Sequence, residues 1–450
     1  MEQPQDFRRL EWQIRLFVPT EGFGSNSRMR NLQNGVLLCI LVLVSNFTEA
    51  SRSTWVATWV ASPEWADPDP KQRLLNIDGQ TVRERVRVSI GGRQLRIQFS
   101  NEYGSAPLRM GSATVALPED PGSVTPTSIQ TLAFKGRPAV AIPAGATVLS
   151  DAVNFPVSAG AELTLTLYFP DRISAATFHE IALKRAVISS RGDYAHAAKI
   201  DADATSRALI SVSAVLVPAR PSQRLIVMLG DSIVDGYGST FDADRNWPND
   251  FFRRLQGVPG YSEVAVVNAG IGGNRLLSDG FVAGTGFGAG FGLSALARFD
   301  RDALAIPGVT HIVLLDGIND IGFPGAKLEG RFFADPADLR TPRDLIDAYR
   351  KLISQAHAHG VKLIGAPLTP FEGVDLPGYY SDSKEMTRQA VNEWIKTSGS
   401  FDGVIDLDAV LRDPKHPGRL LPRYASKDRF HPNDEGYQAM ADAIDLGLFK

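Results

Sequence analysis

Two fold classes follow one another in this sequence: an antiparallel, sandwich-like β region over 51–219, then an α/β region built on a doubly wound parallel sheet over 220–450. Three observations predict them. Up to about Ala219, short stretches alternate apolar and polar residues, and Gly and Pro turn signals separate them. At Pro218-Ala219-Arg220-Pro221 the prolines punctuate the chain and the pattern changes. Beyond that point apolar runs of strand length alternate with helical periodicity through short connections, which makes parallel strands with helices on both faces.

Residues 1–50 read as a leader. The run 35–44 is continuously apolar, follows Arg28 and Arg30, and is too short to cross a bilayer as a helix. Thr48-Glu49-Ala50 supplies small residues where a signal peptidase needs them, so translation is expected from Met29 and cleavage after Ala50, giving a secreted or periplasmic chain. A single short membrane anchor is the alternative. Cys39, the one cysteine, lies in that run, so the mature chain has no disulfide and no cysteine ligand or nucleophile.

In the β region, Val86, Val88 and Ile90 alternate with polar residues, as do Leu95, Ile97 and Phe99. Gly91-Gly92 between them predicts a hairpin with one buried face. Arg83, Arg85, Arg87, Arg93 and Arg96 crowd that hairpin and read as a solvated face, or alternatively as a patch for an anionic polysaccharide. Leu163, Leu165, Leu167 and Phe169 mark a further strand.

In the α/β region strands are expected near 224–229, 263–268, 310–316, 361–366 and 403–407, with helices between them. The clearest helix is 342–358: Thr341 caps it, Pro342 opens it, Gly360 ends it, and Leu345, Tyr349, Leu352, Ile353 and Ala356 line its buried face. The glycine-rich stretch 279–292 is no dinucleotide motif, because it does not start straight after a strand and no acidic residue follows at the required place. It reads as a loop near the site, with Phe281, Phe287 and Phe291 offering apolar contacts, or as a plain surface excursion.

Composition narrows the function. The chain has 450 residues, 44% hydrophobic and 22% charged, with a net charge of −3, so nothing points to nucleic acid. No HExxH, P-loop or paired-cysteine element occurs, and the remaining histidines lack metal-ligand spacing.

Four stretches of the second region converge on one chemistry: Gly230-Asp231-Ser232, Asn268 to Asn274, Gly317-Ile318-Asn319-Asp320, and Asp428-Arg429-Phe430-His431-Pro432. The first three follow apolar strands, so a parallel sheet brings them to one edge. A serine hydroxyl needs a base, and His431 can serve; Asp428, three residues earlier, can hold its tautomer. The backbone N–H groups of Ser232 and Gly273, and the side-chain amide of Asn319, are the obvious donors to an oxyanion. Taken singly, each has a plainer reading. Ser232 can cap a helix, His431 can open one, Asp428 can cap, and Gly273 and Asn319 can serve turns. Asp235, Tyr237 and Arg275 lie close enough in sequence to contact a substrate.

These blocks resemble those of the SGNH, or GDSL-type, hydrolases, named for the Ser, Gly, Asn and His that match Ser232, Gly273, Asn319 and His431. Ile233 stands where that family usually has leucine. The β-rich region, with Trp55-Val56-Ala57-Thr58-Trp59, resembles the leading domain of a secreted bacterial branch that includes acetylxylan-esterase-like members. The resemblance implies an esterase working through an acyl-enzyme, without metal or organic cofactor, on a small-molecule or polysaccharide ester. Two substrate classes stay open: short acyl esters of carbohydrate, and lipid esters as in lipases. A non-catalytic glycan- or wall-binding protein is the reading outside enzymology.

Overall fold

Five parallel strands organise the C-terminal half, in the order Val264–Gly270, Arg224–Gly230, His311–Leu315, Lys362–Gly365, Gly403–Val404. The computed structural model describes residues 54–65, 76–173, 177–280 and 291–450. The expected leader over 1–50, Cys39, Phe281 and Phe287 lie outside them. The sheet order reverses at Arg224–Gly230, which pairs on both sides, so the first crossover runs one way and the later ones the other. After their first residues, Arg224 and His311, the central strands are apolar and almost wholly buried, as strands covered on both faces must be. The Pro342–Ala358 helix forms as its sequence predicts, with the Thr341 hydroxyl and Asp344 carboxylate closing a capping box. Among the described residues no helix is long and apolar enough to cross a membrane.

The preceding region is antiparallel. Trp55–Val60, Val212–Pro218, Gly92–Ser100 and Thr147–Leu149 form one sheet, with Val153–Val157 also pairing to Gly92–Ser100. Ala204–Ser206, Ala186–Arg191, Asp78–Arg87, Glu162–Arg172, Ser112–Ala116 and Gln130–Thr131 form another.

The expected hairpin across Gly91-Gly92 does not form. Asp78–Arg87 pairs with Glu162–Arg172 and Ala186–Arg191, whereas Gly92–Ser100 belongs to the other sheet. The segment between them is a corner. Val88 donates its amide to Ala161, and the Ile90 amide is held by the Thr58 hydroxyl at 2.8 Å. A Cβ on residue 91 would lie 2.4 Å from the Val157 carbonyl, so the glycine serves close approach rather than a hairpin turn.

Three arginines of the cluster, Arg83, Arg85 and Arg87, are not a solvated face either, whereas Arg93 is exposed as expected. Arg83 is buried and donates to the carbonyls of Gly122, Ala197 and Ala198. Arg85 pairs with Asp242 at 2.8 Å and Arg87 with Asp244 at 2.5 Å. Asp242 and Asp244 follow the Ser232 turn, so these charges join the two regions. Alternation places every second side chain on one face, but it cannot say what covers that face.

Candidate active site

The register of the parallel sheet sets three of the four blocks side by side. Gly230 pairs with Gly270 on one flank and with Leu315 on the other. Ser232, Gly273 and Asn319 all follow within a few residues of that row. At Gly230 a Cβ would meet the Leu315 carbonyl at 2.0 Å, so only glycine permits this closeness of strands.

Ser232 is the first residue of a one-turn helix, Ser232–Asp235, and Asp231 rather than Ser232 caps it, accepting from the Ile233 amide at 2.9 Å. The hydroxyl is therefore free of capping duty. Its Oγ lies 2.8 Å from Nε2 of His431, and Nδ1 of His431 lies 2.6 Å from Oδ2 of Asp428. The Asp428–His431 turn is folded by the other carboxylate oxygen. Oδ1 accepts from the backbone of Phe430 and of His431, each at 2.9 Å, and from the Ser426 hydroxyl at 2.8 Å. Arg429 pays for the tightness with φ +61°. Burial would raise the Asp428 carboxyl, yet the hydrogen bonds and charge of His431 outweigh it and hold the group well below the usual carboxylate range. The Tyr237 ring covers His431 at 4.5 Å between centroids.

Asn319 is buried and doubly fixed. Its Nδ2 donates to the Asn274 carbonyl at 2.8 Å, and its Oδ1 accepts from the Tyr379 hydroxyl at 2.7 Å. Among the described residues that leaves the second Nδ2 hydrogen uncommitted. Asp320 next to it binds the amides of Leu276 and Leu277 at 2.6 and 2.9 Å, anchoring the chain beyond Gly273. Gly273 has φ +73°, and a Cβ there would lie 2.4 Å from the Phe291 ring. Phe291, Phe323 and Phe333 stack on one another beside it. As the first amide of its helix, Ser232 N–H has no partner within that helix.

Arg275 does not reach a substrate position: it is buried, donating to the Asp279 carbonyl. Asp235 is also buried, turned towards His179 and the Gly272 amide. Tyr237 remains about 37% exposed beside His431.

Sequence reasoning passes over Arg298, which is wholly buried behind the site. It donates to the carbonyls of Gly230 and Ala269, to Asn274 Oδ1, to Ser62 Oγ and to Asp302. The one sequence signal is Asp302 four residues on, an ordinary helix-surface pair. Arg298→Met is expected to cost about 2–3 kcal/mol, because Asn274 Oδ1 and the Ala269 carbonyl lose their charged donor, whereas Asp302 keeps Arg301 and the Gly230 carbonyl keeps the Ile271 amide. Urea unfolding of the variant measures it, and a loss below about 1 kcal/mol would show that these groups find other partners.

The profile of the GDSL-like Lipase/Acylhydrolase family matches residues 228–439. Comparison with curated proteins returns no match. Among solved structures, a GDSL-like lipase from Bacteroides thetaiotaomicron is 17% identical, over 52% of this chain and 90% of its own, with a TM-score of 0.36. An acetylxylan esterase from Geobacillus stearothermophilus is 18% identical, over 50% of this chain and 94% of its own, with a TM-score of 0.35. Residues 228–439 are thus a GDSL-like lipase/acylhydrolase domain, and the chain is an ester hydrolase.

Proposed function

We propose that the chain is a serine esterase whose nucleophile is Ser232, whose base is His431 and whose orienting carboxylate is Asp428. The observation that carries this reading is the unbroken line of hydrogen bonds from Asp428 through His431 to Ser232. As Oγ bonds to the ester carbon, its proton passes to Nε2 of His431 and the carbonyl electrons move onto oxygen. The amides of Ser232 and Gly273 and the uncommitted Nδ2 hydrogen of Asn319 receive that charge. When the carbon–alcohol bond breaks, the proton on His431 goes to the departing oxygen. Water then repeats the two steps and frees the acid and Ser232. Asn319→Ala is expected to lower kcat on p-nitrophenyl acetate by about 10²–10³-fold with KM little changed. An unchanged kcat would remove Asn319 from the oxyanion site.

The alcohol side of the substrate follows from the proton route. His431 must protonate the leaving oxygen, so the alcohol lies on the His431 side of the scissile bond. There an open groove of about 780 Å³ is lined by Tyr237, Phe241, Ser239, Ser426, Lys427 and Asn433, with Leu183 and Arg207 from the β-rich region. Tyr237 and Phe241 are both over a third exposed. Exposed rings among hydroxyl and amide groups suit the faces and hydroxyls of a sugar, and we read the substrate as a short acyl ester of carbohydrate. The Phe291, Phe323 and Phe333 stack lies beside Gly273, across the site, and favours a second reading with a longer, lipid acyl chain.

The test compares kcat/KM on acetylated xylo-oligosaccharides with that on p-nitrophenyl palmitate. The carbohydrate reading expects the acetylated sugar to lead by at least about tenfold. The reverse order supports lipid esters, and no turnover of any ester supports a binding protein. We also read the two antiparallel sheets as layers of a sandwich, since side chains of both, such as Val82 and Ile97, enter one core. Export, with removal of the leader after Ala50, is read from the Arg28, Arg30 and apolar-run pattern.

A further inference from the structure

A second hydrogen-bonded line runs behind the site and starts in the β-rich region. Nδ1 of His179 faces both Glu64 Oε1 at 3.0 Å and the Ser62 carbonyl at 3.1 Å, and Nε2 of His179 lies 3.1 Å from Oδ1 of Asp235. The other oxygen of Asp235, Oδ2, accepts from the Gly272 amide at 3.1 Å. All three side chains are under 10% exposed. Asp235 closes the one-turn helix that Ser232 opens, and Gly272 precedes Gly273. One carboxylate therefore spans the nucleophile turn and the loop that carries an oxyanion donor.

Space around it is closed. A Cβ on Gly270 would lie 2.3 Å from the Asp235 amide, and one on Gly272 would lie 2.9 Å from the Ile181 side chain, two residues from His179. Nothing in the reaction scheme needs a charge at Asp235 or His179, as neither touches Ser232 or His431. Burying a histidine with two carboxylates is costly unless they pair, as they do here, and removing one member leaves the others uncompensated. The charge of Asp235 and its hydrogen bond outweigh desolvation and raise His179 well above its usual range, while burial raises Glu64 to about 7.

We propose that His179 is a positioning residue for catalysis: by gripping Asp235 it fixes the Gly272 amide and hence the direction of the Gly273 N–H towards the oxyanion. The β-rich region thereby completes the catalytic site rather than only flanking it. The proposal rests on the esterase reading given above. It requires a loss confined to the transition state, because a misdirected donor binds the ground-state carbonyl little worse.

The experiment compares His179→Gln, which keeps an N–H for Asp235, with His179→Phe, which keeps a ring of similar bulk and loses both polar edges. On p-nitrophenyl acetate, His179→Phe is expected to lose about 10–100-fold in kcat with KM within about twofold, and His179→Gln to stay within about threefold of wild type. Equal losses in both variants, a loss seen mainly in KM, or no loss overturns the proposal. Should His179→Phe not fold, the same comparison is made between Asp235→Asn, which retains an acceptor for the Gly272 amide and should keep kcat within about threefold, and Asp235→Ala, which should not. Ser232→Ala in the same series separates the two failures. Wild-type turnover in that variant sinks the esterase assignment, whereas inactive Ser232→Ala beside an unaffected His179→Phe sinks only the positioning role.

Discussion

Ser232→Ala is expected to lower kcat on p-nitrophenyl acetate by about 10⁴–10⁶-fold while leaving the fold intact. The magnitude follows from what remains. With the hydroxyl gone, water must attack directly, and no acyl-enzyme divides the reaction into two easier steps. The amides and Asn319 still await an oxyanion, so a residue of catalysis survives. The fold is spared because Asp231, not Ser232, caps the helix, and because among the described residues the one side-chain bond lost is that to His431. Three measurements check this. Steady-state turnover should fall by that factor, and the thermal midpoint should move by no more than a few degrees, since about 1 kcal/mol corresponds to about 2–4 °C in a domain of 150–250 residues and to less in a longer chain. An active-site-directed phosphonate should label wild type once per chain and leave the variant unlabelled. Turnover within tenfold of wild type would show that another group attacks the ester.

The parts of this chain that could be read in its sequence share a physical basis. A buried parallel strand must be apolar along its whole length, so Leu225 to Leu229 and Ile312 to Leu315 announce themselves, and the residues just past their ends are where open sheets gather function. A helix start carries its own chemistry, as Thr341-Pro342 does. Asp428 and His431 sit three residues apart, so one turn decides their contact. What stayed illegible depends on partners remote in sequence. The arginines of Asp78–Arg87 alternate as a solvated face would, yet Asp242 and Asp244, over 150 residues later, cover Arg85 and Arg87. Gly91-Gly92 has the composition of a hairpin turn and serves as a corner between sheets, because Val157 and Ala161, at the connection between two later strands, approach it from a place that local pattern cannot give. His179 and Arg298 carry no motif. Each is defined by the carbonyls and carboxylates that the fold sets round it, which no spacing along the chain encodes.

Asp428→Asn should cost about 10³–10⁴-fold in kcat, far more than the loss of one hydrogen bond would suggest. The side chain has two jobs at two oxygens. Oδ1 folds the turn by accepting from Ser426, Phe430 and His431, and an asparagine carbonyl can keep all three contacts. Oδ2 meets Nδ1 of His431 at 2.6 Å. In the variant an NH₂ group stands there, so Nδ1 must become the acceptor and the imidazole proton moves to Nε2, facing Ser232. The base then points a hydrogen at the hydroxyl it should deprotonate, and the geometry survives with the wrong tautomer. The native carboxyl titrates well below the usual carboxylate range, despite burial, because His431 binds the ionised form. A group depressed in this way stabilises the fold in full above the ordinary aspartate range near 4, and that contribution is lost as pH falls below it towards the folded value. The acid limb of the pH–rate profile therefore does not belong to Asp428. The variant should lose that contribution at neutral pH while remaining folded, and its stability should converge with that of wild type as pH falls. Rates across pH 5–9 on p-nitrophenyl acetate decide the matter, and a loss below tenfold throughout would mean that the tautomer of His431 is set by something other than Asp428.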